Sequence, residues 1–212
     1  SLNPHGFQAT RDFTGARMPL TSALPPHCQP VALDKAYRLM NHGPTVLVSA
    51  SHAGVANVMA AAGAGVLDFT PPKLTVVLDK ATATRALIEA SGQFALQLPT
   101  RAMAALTTGV GTDSAHTVPD KLHKHGVQLF SVPGSAVPLV QGCVGWLLCR
   151  LVPEPHNQQT YDLFIGEVTA AWADDRVFSQ GRWHFDQADN ALRTIHHVAG
   201  GSYLVSGDTI QG

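Results

Sequence analysis

The stretch from Gly43 to Asp79, GPTVLVSASHAGVANVMAAAGAGVLDFTPPKLTVVLD, constrains the fold more than any other part of the chain. Three apolar runs, Thr45 to Ser51, Val58 to Leu67 and Leu74 to Asp79, are separated by the turn-forming Ser51-His52-Ala53-Gly54 and by Asp68-Phe69-Thr70-Pro71-Pro72. Short apolar, β-branched runs bounded by Gly and Pro predict three antiparallel strands. Small residues crowd the second run (Asn57, Ala60, Ala61, Ala62, Gly63, Ala64, Gly65). A strand without side-chain bulk lets a flat partner approach its backbone closely, and a ring system is such a partner.

The rest of the chain supplies more strands than helices. Residues 1–30, rich in Pro, Gly and Thr and without a period, are expected to form an arm over the surface or over a second subunit, ahead of one domain spanning 31–212. Leu33 to Met40 reads as a helix stopped by Gly43-Pro44, and Thr84 to Gly92 as a helix with a hydroxyl N-cap at Thr82. Gln93 to Leu98 and Val127 to Val132 read as strands, with helical turns at Arg101 to Thr107 and Pro119 to His125. Two long apolar runs, Gly142 to Val152 and Tyr161 to Trp172, look like a hairpin. Many strands with few short helices favour a mainly β, closed or nearly closed antiparallel barrel over a doubly wound sheet. Gly109-Val110-Gly111 is the nearest approach to a dinucleotide loop, and the Thr112-Asp113-Ser114 that follows opens no helix.

Composition narrows the partners. Charged residues make up 14% of the chain against 45% hydrophobic, a shortage that a buried interface in a homodimer would explain. A formal net charge of -1 with no basic run argues against nucleic acid. No run approaches the ~20 apolar residues of a membrane span, and Ser1 to Leu20 has no basic segment followed by an apolar core. Cys28, Cys143 and Cys149 form no C-x-x-C pair, so neither a disulfide framework nor zinc is expected and the reducing cytoplasm is the expected compartment. His123 and His125 diverge on a helix, and His196 and His197 point to opposite sides of a strand, so neither pair makes a metal face. By strand parity Cys143 and Cys149 share one face and Trp146 takes the other.

A hydrophobic strand, a small polar turn, Asn57-Val58-Met59-Ala60, Pro71-Pro72 and then Asp79-Lys80-Ala81-Thr82-Ala83-Thr84-Arg85 follow one another in this order. In that order the chain resembles flavin reductase-like proteins, the FMN-binding split barrels that include flavoredoxins and ferric reductases. The resemblance runs from about Leu33 to Asp175, with a weaker tail at His196 to Asp208.

It implies an antiparallel split barrel that binds FMN and moves electrons from a reduced donor, with NADH or NADPH as the candidate, to free flavin, ferric iron or a redox partner protein. Ser49, Ala50, Ser51, Asn57, Val58, Met59 and Ala60 match positions that hold the flavin ring, largely through backbone groups. A ring of this kind needs backbone N–H groups, a few amides or hydroxyls, and small neighbours. Lys80, Thr82, Thr84 and Arg85 open a helix where a phosphate would meet a cation, hydroxyls and first-turn amides. Ser114 and Lys121 match a loop that approaches the flavin. The same residues also read as ordinary turn, cap and surface-loop chemistry.

Hydride transfer to FMN needs no protein acid or base, so no catalytic residue is expected. Short NADH-using flavin reductases carry Gly-Asp-His near the end of the last long strand, where this chain reads Ile165-Gly166-Glu167-Val168. The missing His favours the flavoredoxin-like branch, whose C-terminal segment is similar to His196-His197-Val198-Ala199-Gly200-Gly201-Ser202-Tyr203, with His196 and Tyr203 as candidates for the flavin's open face. A non-enzymatic FMN-binding electron-transfer or carrier protein is the alternative.

Overall fold

A computed structural model describes residues 43–212 together with Pro26, Gln29, Pro30, Ala32 and Asp34. The expected arm over 1–30 and the helix over Leu33 to Met40 lie outside the described residues.

The Gly43 to Asp79 stretch forms four strands, not three: β1 (Val46–His52), β2 (Val55–Ala61), β3 (Ala64–Phe69) and β4 (Pro72–Val77). The predicted second run breaks at Ala62-Gly63. β1 and β2 turn through Ala53 and Gly54, both at positive φ (49° and 80°), the backbone of a tight two-residue hairpin. Helix α1 (Ala83–Ser91) ends on Gly92 in the left-handed region, and β5 (Gln93–Leu98) follows. The expected turn at Arg101 to Thr107 is a 3-10 turn running into α2 (Ala104–Thr112), so Gly109-Val110-Gly111 lies inside a helix.

The next segment holds only short pieces, α3 (Lys121–Lys124), β6 (Leu129–Phe130) and β7 (Leu139–Val140). The long hairpin is β8 (Gly145–Val152) and β9 (Leu163–Ala173), linked by α4 (Pro155–Tyr161) where a loop was expected. Two small hairpins complete the chain, β10 (Phe178–Ser179) with β11 (Arg182–Trp183), and β12 (Ile195–Ala199) with β13 (Ser202–Val205).

Seven strands form one antiparallel sheet in the order β2-β1-β5-β8-β9-β4-β3. β2 and β3 are joined by Ala62-Gly63 alone yet stand at opposite edges, so the sheet curls until its first and last strands meet without pairing. This is a split barrel. Val46, Val48, Phe94, Leu96, Phe164 and Ile88 fill one core cluster between the sheet and α1. Leu47, Val58, Met103 and Val110 fill another beneath α2, so alternate residues of β1 serve two cores.

Cys143 and Cys149 do not share a face. Cys143 lies in the turn ahead of β8, after Gly142 at φ 93°, and packs with Trp146 in the α2 cluster, whereas Cys149 lies within β8 and packs with Phe94. Parity holds within a strand and does not carry across the turn that precedes it. Burial pushes both thiols up, Cys149 to about 12, which makes them inert core residues.

Candidate functional site along the β2 edge

β2 pairs with β1 on one side only, in the register Ser49↔Val58 and Ala50↔Asn57, and so forms an edge of the sheet. Asn57 is buried and its Nδ2 donates to Thr84 Oγ1 at 3.0 Å, which fixes the strand against the first turn of α1. That first turn is open to an anion. The Thr82 hydroxyl donates backwards to the Asp79 carbonyl (2.8 Å) instead of capping the helix, and the first turn holds no acidic residue. Uncapped amide donors at a helix start favour negative charge. Lys80, three residues ahead of α1, is 66% exposed, with its Nζ 4.0 Å from Asp162, the carboxylate that also takes Arg85.

A cleft of about 330 Å³ brings three of the predicted segments together, lined by Asn57 of β2, Ala83 of α1 and Ala115 and His116 of the loop after α2. Val55, Leu87, Pro119 and Leu122 give it an apolar wall beside the start of α1, which fits an apolar ring carrying a phosphate to that helix start. Gly111 explains how α2 comes so near: a Cβ there would stand 3.1 Å from the Ala60 Cβ.

Other predicted side chains have partners inside the chain. Ser49 Oγ donates to the Pro138 carbonyl and accepts from Gln97 Nε2 (2.8 Å); Ser51 Oγ donates to the Ala136 carbonyl at 2.7 Å. These hydroxyls moor the 136–140 segment to β1. Ala50 and Val58 are core residues and Met59 packs beside them. Ser49, Ala50 and Val58 are wholly buried, so any contact from them to a ligand is a backbone contact.

Arg85 points away from the cleft. Its guanidinium, 5.0 Å above the Phe164 ring, donates to Glu89 (2.9 Å), Asp162, the Leu78 carbonyl (2.9 Å) and the Gln158 carbonyl (2.9 Å). Desolvation works against its charge, but Glu89 and Asp162 outweigh it and hold its pKa above the ordinary value. Lys121 is also buried, donating to the Val110 carbonyl (3.0 Å) and the Asp113 carbonyl (3.0 Å) at the end of α2. Burial lowers its pKa, and Asp113 partly offsets this. Ser114 Oγ accepts from the His116 amide at 3.2 Å, a local turn.

Sequence reasoning missed Asp162, Gln97 and the pair formed by His125 Nε2 and Asp113 Oδ2 (2.7 Å). None belongs to a motif; each becomes visible only when distant segments meet. The one local signal was Gly109, where a Cβ would fall 2.2 Å from the His125 ring.

Comparison with known proteins decides the lineage. The family model for the flavin reductase like domain matches residues 37–192. The chain belongs to the flavin reductase-like family. The uncharacterized protein YddH of Escherichia coli K12 is 41% identical over 184 residues, covering 85% of this chain and 96% of that protein. The crystal structure of an FMN-binding domain of a flavin reductases-like enzyme from Shewanella baltica OS155 is 54% identical, covers 86% of this chain and 95% of that one, and superposes with a TM-score of 0.79. Flavoredoxin of Desulfovibrio vulgaris (Miyazaki F), at 24% identity, TM-score 0.68 and coverage of 80% and 89%, shares the fold. The split barrel of this family member is thus the fold common to flavin reductase-like proteins.

Proposed function

We propose that this chain is an FMN-dependent oxidoreductase of the flavin reductase and flavoredoxin type, passing electrons from a reduced donor to free flavin, ferric iron or a redox partner protein. The observation that carries the reading is the β2 edge: small residues with an unpaired backbone, one helix start away from free amide donors and Lys80. FMN supplies the redox chemistry when bound. In this reading the ring lies along Asn57 to Ala60, and the phosphate meets the α1 amides with Lys80 nearby. Thr84 and Asn57 hold that helix start to the strand, and Arg85 with Asp162 holds it from the other side.

The visible spectrum of the purified protein, before and after FMN and then anaerobic NADH or NADPH, tests the proposal. A bound flavin that bleaches with either nucleotide supports a nucleotide-dependent reductase; protein that binds no FMN sinks the reading. A second reading, an electron-transfer protein reduced only by dithionite or a partner, draws on Gly166-Glu167 standing where NADH-using members carry Gly-Asp-His. A homodimer is part of the proposal, supported by the apolar β3 edge, where Val66, Leu67 and Phe69 are exposed. So is a reducing, cytoplasmic home, supported by free buried thiols at Cys143 and Cys149.

A further inference from the structure

Two glycines sit inside α2, and the second, Gly111, is accounted for by the approach to Ala60. The first belongs to a different contact. Glycine inside a helix is disfavoured against alanine, yet a Cβ at Gly109 would fall 2.2 Å from His125 Nδ1 and 2.4 Å from its Cε1, so the imidazole occupies the space that any other residue would fill. The same ring reaches the helix's C-cap: His125 Nε2 stands 2.7 Å from Asp113 Oδ2, and because a carboxylate only accepts, Nε2 donates. His125 therefore spans the last turn of α2. Lys124 shares the Asp113 carboxylate at 2.8 Å but lies half exposed, away from the helix backbone that the imidazole touches.

That turn begins a loop closed on itself. Lys121, buried just past the loop, donates from Nζ to the carbonyls of Val110 (3.0 Å) and Asp113 (3.0 Å), and the Val118 amide donates to the Ser114 carbonyl at 2.8 Å. Between these ties stand Ala115, His116 and Pro119, which line the cleft at Asn57. His125, Asp113 and Lys121 are not among its lining residues.

We propose that His125 is a positioning residue for the flavin: seated over Gly109 and bonded to Asp113, it presets the 114–120 wall of the cleft without touching the ligand. The inference deepens the flavin reading and rests on it. A loop that must be ordered on binding subtracts from affinity, and a loop already held by residues behind it does not.

The test measures, on the full chain, the FMN dissociation constant by flavin fluorescence and the amide exchange of residues 114–120 by mass spectrometry. His125→Ala should weaken FMN about tenfold and speed exchange in that segment, with β1 unchanged. His125→Gln, whose amide nitrogen reaches about as far as the imidazole Nε2, should recover most of both losses. Gly109→Ala should reproduce the loss by displacing the ring. In the His125→Ala background it should cost no further affinity and should raise Tm, because alanine is the better helix residue once the ring is gone. The positioning role is overturned if His125→Ala leaves affinity or exchange unaltered, if His125→Gln restores neither, or if Gly109→Ala lowers affinity as much in His125→Ala protein as in the wild type. Wild-type protein that binds no FMN would sink the flavin reading instead. Loop exchange then decides alone: its quickening in His125→Ala and return in His125→Gln sustain the preset wall, and unchanged exchange overturns it.

Discussion

The two edges of the seven-stranded sheet differ in what their side chains offer. β2 carries alanines and a buried Asn57 and is flanked by α1 and α2; β3 carries Val66, Leu67 and Phe69, exposed at 70%, 51% and 83%. An edge strand is a hazard that proteins normally cover or charge. Here one edge is stripped of bulk, which suits a flat ligand, and the other is loaded with apolar bulk, which suits a second protein surface. The contrast teaches that an unpaired edge is chemically neutral until its side chains decide what can lie against it.

The largest expected effect breaks the clamp behind the β2 edge. Arg85→Met leaves Asp162 with only the 4.0 Å contact to Lys80 and removes the hydrogen bonds from α1 to Leu78 and Gln158, and should lower stability by about 3 kcal/mol in urea denaturation. It should weaken FMN and riboflavin equally, because Arg85 faces away from the cleft; selective loss of FMN would return Arg85 to the phosphate. Next comes Gly111→Val, which wedges α2 off Ala60 and should cost about 2 kcal/mol, with FMN affinity falling about tenfold or more. Failure to move FMN would show that the β2 edge is not the flavin's seat.

At the other edge, Val66→Lys with Phe69→Lys should leave stability within about 0.5 kcal/mol while shifting sedimentation towards a monomer. A wild-type monomer would remove the proposed role of β3. Smaller still, Lys80→Ala should lower FMN affinity about threefold with riboflavin unaffected, the contribution of one exposed cation near a helix start.

The weakest effect is acid sensitivity at the loop after α2. Lys124 and His125 hold the Asp113 carboxyl below its usual range, so its contribution is present above the ordinary carboxylate pKa and lost as pH falls through the lowered value. Asp113→Asn should flatten the acid limb of Tm against pH.

What the sequence made legible follows period and punctuation. The hairpin turn at His52-Ala53-Gly54, the α1 cap at Gly92 and the β8–β9 pair are local patterns and stand where expected, as does the split-barrel class. Ala62-Gly63 hid inside an unbroken apolar run, because a change of sheet edge needs no turn residue when the strand simply continues past its partner. Side-chain direction was the least legible property. Ser49, Ser51 and Arg85 have the chemistry of ligand contacts but donate to Pro138, Ala136 and Asp162, choices made by segments far away in the chain. The parity assigned to Cys143 and Cys149 failed because the apolar run Gly142 to Val152 hides a turn, and β8 begins only at Gly145.

The link between β2 and β3 carries one more consequence. Among the described residues Ala62-Gly63 is the direct link between β2 and β3, so the two edges are held one short connection apart at that end of the split. Were an occupant at β2 to favour one separation of the edges, it would bias the surface presented by β3, and by thermodynamic reciprocity a subunit at β3 would change ligand affinity at β2 by the same factor. Lengthening the link by a few glycines is the check: any coupling between the edges should fall while each edge stays intact.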